Sequence, residues 1–279
     1  MTRIWILLGY TYLFFYLHIT GNISKYINLK YSFLSFIAIF VFLLFLIAQC
    51  YFAWKEESNE DEFKDICDCG MDHAEEKKSW KRYIAYPILI FPIVTALVLP
   101  IATLDSSIVA AKGFNFDMFG EDADPNGFHQ FLAPDTSIFY GQDGYEELME
   151  EAMGQFANRD PILLNDEDYL LGMETIYKNP GYFMGKTIGF KGFTFKDEET
   201  DDIFLFRFGM IHCVADSGVF GMLLDLPKGE TFENDEWIEV EGKLDSIYYQ
   251  PLKKTIPVLK VKKITPIGEP EEPYVYRTN

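Results

Sequence analysis

Six residues of this chain are spaced as metal ligands would be, and they fall into two clusters. Cys67, Cys69 and His73 lie in an acidic stretch beside Asp65, Asp68 and Asp72. Two thiolates and an imidazole suit Zn²⁺ or another divalent metal of similar softness, with a carboxylate or water completing the set. C-x-C-x3-H is not the spacing of a closed structural zinc site. The competing reading is therefore a solvated acidic loop whose two thiols stay reduced. His212, Cys213 and Asp216 form the second cluster, which the sequence places at the end of a strand. Neighbours on a strand face opposite ways, so His212 and Cys213 share a ligand set only if a bulge turns one of them. Without that bulge, Cys213 is a small core hydrophobe. The only cofactor these patterns suggest is such a metal. No nucleophile elbow, phosphate loop, HExxH or dinucleotide fingerprint is present, so no enzyme activity is expected.

The elements that must position these clusters begin with three apolar stretches: about 4–20, 33–54 and 83–104. Roughly 20 apolar residues are needed to cross a hydrocarbon core of about 30 Å, and these approach or meet that length without an internal charge. The expectation is a multi-pass membrane protein with about three transmembrane helices. The thiol-bearing loop 55–82 joins the second and third. A single positive charge, no small-x-small cleavage site and an immediate second span argue against a cleavable signal peptide. Pro87, Pro92 and Pro100 interrupt the third span. Proline removes an amide donor and kinks a helix, as in a bent anchor or a helix packed on a partner. His18 falls near the end of the first span, with Tyr10, Tyr12 and Tyr16 as interfacial aromatics.

Charge divides the chain sharply. Of 24 Lys/Arg and 43 Asp/Glu, residues 1–104 hold 9 and 10, leaving 15 and 33 beyond them. The C-terminal part therefore carries −18 of the net −19. A polyanionic domain repels phosphate backbones, and nucleic acid is not an expected partner. Orientation follows the cations in short loops. A cytoplasmic N-terminus puts Arg3, Lys55, Lys64, Lys77, Lys78, Lys81 and Arg82 inside, with only Lys25 and Lys30 in the outer loop. The C-terminal domain is then extracytoplasmic, and the two candidate metal clusters lie on opposite sides of the bilayer.

Residues 105–164 read as an acidic, largely irregular linker with one helical stretch at Tyr145–Ala157, where Leu148, Met149, Ala152 and Phe156 form a face. The domain proper, 165–279, opens with a helix capped by Asn165 and stopped before Pro180. Strand periodicity follows at Lys186–Phe195, Ile203–Val214, Val219–Leu226, Glu236–Ile247 and Thr255–Ile267. Gly189 and Gly192 suggest bulges or sharp coiling in the first strand. Five strands with short turns predict a mostly β, OB-like barrel. Phe204, Phe206 and Phe208 then form either a stacking platform or one face of the core, and the domain's acidity favours the core.

Several segments resemble the YcgQ-like family of bacterial permease subunits: Leu17–Ala38, Asn179–Phe193, Arg207–Asp216 (RFGMIHCVAD), Trp237–Leu244 (WIEVEGKL) and Pro273–Tyr276. The resemblance implies a multi-pass N-terminal part, a soluble C-terminal domain and a multi-pass permease partner encoded nearby. Two departures bear on chemistry. Where members carry a Cys-Cys pair, this chain has His212-Cys213, and their His-rich loop is thinned here to CDCGMDH, Cys67 to His73. The expected function is an accessory, non-catalytic subunit of a membrane permease for metal or metalloid species. The alternative is a membrane-anchored extracytoplasmic module binding a small solute, sugar, peptide or cation.

Overall fold

A computed structural model describes residues 2–60, 79–99, 103–114, 116, 137 and 141–277. It divides into two units: Met1–Ser24 with Leu29–Thr103, and Lys25–Asn28 with Leu104–Asn279. Cys67, Cys69 and His73 lie outside the described residues.

The first unit is built from α1 (Thr2–Ile19), α2 (Ser32–Glu60) and α3 (Ser79–Val98). Leu29–Lys55 is the one described stretch both long and apolar enough to cross a membrane, with mean hydropathy 2.7, and Ile84–Val98 is a shorter apolar helix. Helix α1 packs against both α2 and α3. Tyr10 and Phe14 stack on Phe42 of α2, and His18 Nε2 lies 2.8 Å from Ser35 Oγ. A Cβ on Gly9 would meet the Ile93 side chain at 3.0 Å, so this glycine sets the close approach of α1 to α3. Pro87 and Pro92 both lie inside α3, and Tyr10 donates to the Leu89 carbonyl at 2.9 Å, between the two breaks. The hydroxyl adds a bond where the proline rings have thinned the helix's own ladder.

In the second unit, α4 (Ser106–Lys112) starts at Asp105, whose carboxylate accepts from the Ser107 amide. Helix α5 (Gln142–Phe156) turns Tyr145, Met149, Ala152 and Phe156 inward, close to the face its periodicity predicts. The expected start of the next helix at Asn165 moves on by four residues. Asn165 Oδ1 does accept from the Glu167 and Asp168 amides, but it closes a turn, and α6 runs from Tyr169 to Lys178. Helix α7 (Pro180–Phe183) is a single turn.

The strands are β1 (Ile162–Leu163), β2 (Thr187–Lys196), β3 (Ile203–Met210), β4 (Gly218–Asp225), β5 (Trp237–Tyr249), β6 (Lys254–Pro266) and β7 (Val275–Tyr276). The five long strands pair in a closed circuit, β2-β3-β4-β6-β5 and back to β2. Every pairing in the circuit is antiparallel except β4 with β6. Strands β1 and β7 add parallel to β2 and β3. Gly189 and Gly192 do not mark bulges, because β2 keeps regular register with β5 through both. They allow close approach instead: a Cβ on Gly192 would stand 2.5 Å from the Phe206 carbonyl oxygen. The register shift lies between β5 and β6, where Glu241 and Gly242 face Lys263 and Val261 and Lys262 is the extra residue of β6.

All of β3 is buried. Phe204 and Phe206 stack at 5.5 Å, and Phe114 meets Phe204 edge-on at 4.8 Å. Phe208 stacks on Phe193 at 5.4 Å. These rings are core, with no face left open for a base. Strand β6 reaches β4 at Leu223–Asp225, and among the described residues the earlier half of β4 has no strand on that side. Helix α6 fills the gap: Tyr177 donates to the Gly221 carbonyl at 2.6 Å and accepts from the Gly221 amide at 2.7 Å. Tyr169 donates to the Phe220 carbonyl. Burial pushes both phenols above the ordinary tyrosine value, so both hydroxyls stay protonated and able to donate.

Candidate functional site

Strand β3 ends at Met210, and the chain turns through Ile211–Cys213 into a short 3₁₀ helix, Val214–Asp216. Asp216 makes this turn. Its carboxylate accepts from three successive amides, those of Ile211 (3.2 Å), His212 (2.9 Å) and Cys213 (3.1 Å). The His212 ring lies on the same carboxylate, Nδ1 to Oδ2 3.0 Å. Of the predicted trio, the structure thus brings His212 and Asp216 together. Cys213 joins through its backbone, and its thiol is free of any disulfide. A carboxylate receiving three amides is held rigidly as an acceptor. Among the described residues, no group of three or more His, Cys, Asp or Glu stands close enough to hold a metal ion.

What the turn does hold is a piece of chain from far away in sequence. Tyr26–Asn28 runs antiparallel to His212–Val214, with Ile27 opposite Cys213. Asn28 N donates to the His212 carbonyl and Val214 N to the Tyr26 carbonyl, both at 2.9 Å. The Asn28 side chain is buried, and its Nδ2 donates to the carbonyls of Ile211 (2.8 Å) and Arg277 (3.1 Å). Arg277 in turn donates from its amide to Met210 O and pairs its guanidinium with buried Glu174 of α6. The ends of β3 and β7, helix α6 and this inserted segment therefore meet at one point.

A second buried charge sits further back on β3. Arg207 is fully enclosed, and its guanidinium reaches Asp166 and the carbonyls of Glu272, Pro273 and Tyr274. It also lies over the rings of Tyr169 and Trp237. Burial alone would raise the Asp166 pKa, but hydrogen bonds and charge from Lys191 and Arg207 outweigh it and hold this carboxyl below the usual range. The arrangement clasps the C-terminal tail to the ring of strands.

An open cleft of about 390 Å³ is lined by Phe232, Asp235, Glu236, Trp237, Ile238 and Glu269, among others. One of its carboxylates is already engaged: Asp235 accepts from the amide and hydroxyl of Ser106 at the start of α4.

Reasoning from sequence misses Asn28, Arg207 and Arg277 as organising residues. A polar residue in a short loop and an arginine in a strand of phenylalanines are the only signals they give.

The chain is similar along its whole length to two bacterial proteins. It is 45% identical over 284 residues to UPF0703 protein YcgQ of Bacillus subtilis (strain 168), covering 99% of each chain. It is 32% identical over 285 residues, again 99% of each, to a Streptococcus mutans serotype c protein provisionally named as a two-component membrane permease complex subunit. The DUF1980 N-terminal domain matches residues 2–115, and the DUF1980 C-terminal domain matches residues 139–277. No solved structure matches it.

Proposed function

The chain belongs to the DUF1980 family, and on that premise we propose that it is an accessory, non-catalytic subunit of a bacterial membrane permease. The observation that carries this reading is the end-to-end similarity to the streptococcal protein, whose name gives it as one subunit of a two-component permease complex. A subunit working with a second membrane protein needs apolar surface to meet it. Helix α2 offers Phe33, Phe36, Phe40, Leu44 and Ile47, all exposed in the chain by itself. Lipid covers what a partner does not. The test is co-purification of the tagged chain from its own membranes in mild detergent. A multi-pass membrane protein recovered in fixed ratio is expected, and a chain that comes down alone overturns the reading.

The same reading takes the protein as crossing the membrane three times, with its N-terminus in the cytoplasm and its C-terminal domain outside. The lysine and arginine count of the loops supports this. The pairing of Tyr26–Asn28 with His212–Val214 supports the number of crossings in either orientation, because hydrogen-bonded segments share one face of a bilayer. The chain between residues 29 and 103 must then cross an even number of times. If α2 crosses, α3 crosses back, and its 20 residues rise about 30 Å. The circuit of five strands, with its one parallel pairing, is taken as an OB-like barrel whose open seam α6 closes. Orientation is tested in cells by a membrane-impermeant maleimide on single-cysteine variants of a cysteine-free chain. Glu271→Cys should label in intact cells and Lys55→Cys only after lysis; the reverse pattern overturns the orientation.

A further inference from the structure

We propose that the pairing of Tyr26–Asn28 with His212–Val214 is a releasable strap, with Asn28 as its tongue and Asp216 as its keeper. The strap is short: its ladder is two bonds long with the Asn28 amide beside it, whereas β5 and β6 pair from Ile238–Pro266 through to Tyr249–Lys254. A contact this small opens locally while the ring of strands stays closed. The strap is also specific, because buried Asn28 bonds carbonyls from two distant segments, Ile211 and Arg277. Finally, the receiving turn has no regular secondary structure of its own at Ile211–Cys213. It is shaped by one carboxylate taking three amides and an imidazole.

The consequence is a device with one control point. While Asp216 gathers the amides of residues 211–213, their carbonyls are presented outward, and those of Ile211 and His212 receive Asn28. When the carboxylate lets go, the turn loses its shape and the strap loses its two best acceptors together. The segment that would then swing free is followed directly in the chain by the 3₁₀ turn Leu29–Tyr31 and α2. This role uses His212 and Asp216 without any metal, and it is separate from partner binding.

The geometry supplies its own probe. Asn28 N to His212 O and Val214 N to Tyr26 O flank the Ile27–Cys213 pair, which makes it a non-hydrogen-bonded antiparallel pair. In such pairs the Cα atoms lie about 4.5 Å apart, within disulfide reach. In the full chain in membranes, with Cys50, Cys67 and Cys69 changed to serine, Ile27→Cys should link to Cys213 under copper-phenanthroline oxidation. The link is read as a joined peptide by mass spectrometry. Adding Asp216→Ala or Asn28→Ala should slow linking at least fivefold. It should also raise hydrogen exchange at 26–28 and 211–214 while β5 and β6 stay protected. Three results overturn the proposal: no 27–213 link in the parent, linking and exchange unchanged in both variants, or exchange rising across β5 and β6 in both.

Discussion

Arg207 shows what a single buried charge does to this domain's response to acid. Its guanidinium and Lys191 both bind Asp166, and together they hold that carboxyl below its ordinary value against the opposing effect of burial. A carboxyl with a depressed pKa in the folded state adds stability that is fully present above the unfolded value of 3.8. That contribution fades as pH falls through the folded value. Urea melts of Asp166→Asn should therefore show a deficit against the parent at pH 6 that narrows below about pH 4. A deficit unchanged down to pH 2.5 would mean the carboxylate charge is not what matters. None of this is legible locally in the sequence, because Asp166 lies 41 residues from Arg207 and the Glu272 carbonyl lies 65 away. Only closure of the ring brings them together. Asp216 is different, since its partners lie within five residues and its grouping with His212 and Cys213 is visible in the chain. What the spacing does not reveal is that the carboxylate serves amides.

Elements show the opposite balance. Four of the five long strands begin and end within two residues of where the sequence puts them, whereas β3 stops at Met210, four residues before the expected Val214. The alternation is clean in β5, while β2, β3 and β4 are buried almost throughout and read as near-continuous apolar runs. Glycines were harder, since the sequence marks a glycine but not what approaches it. Gly221 is the clearest case: a Cβ there would stand 1.8 Å from the Leu205 carbonyl oxygen, across the β3–β4 pair. Gly221→Ala should cost about 2–3 kcal/mol by forcing the strands apart, read as a lowered urea midpoint. Gly181→Ala, with open space around it, is the matched control. The seam beside β4 gives a second measurement. Tyr177→Phe removes the hydroxyl that serves both backbone groups of Gly221 and leaves them buried without it. A loss of about 1–3 kcal/mol is expected, with hydrogen exchange rising first at residues 219–222. Equal exchange across all strands would show that the seam is not a separate weak point.

At the scale of the whole molecule, the partition of charge and apolar residues is readable from composition, but the inclusion of Lys25–Asn28 in the second unit is not. Tyr26–Asn28 is too short to announce itself as a strand, and its partner lies more than 180 residues on. That tie gives the proposed topology a sharp consequence. Deleting α3 removes one crossing, so the C-terminal domain would emerge on the face opposite Tyr26–Asn28. The Ile27→Cys link to Cys213 should then vanish in membranes, and its survival would argue that α3 does not cross. The same three residues also bear on inheritance. The family's two domains meet on paper between residues 115 and 139, yet Lys25–Asn28, a segment of the second structural unit, is encoded inside the first. Exchanging halves between relatives would graft a foreign strand onto the His212–Val214 edge. Recombination at the apparent boundary therefore separates residues 26–28 from the residues 211–214 they bond.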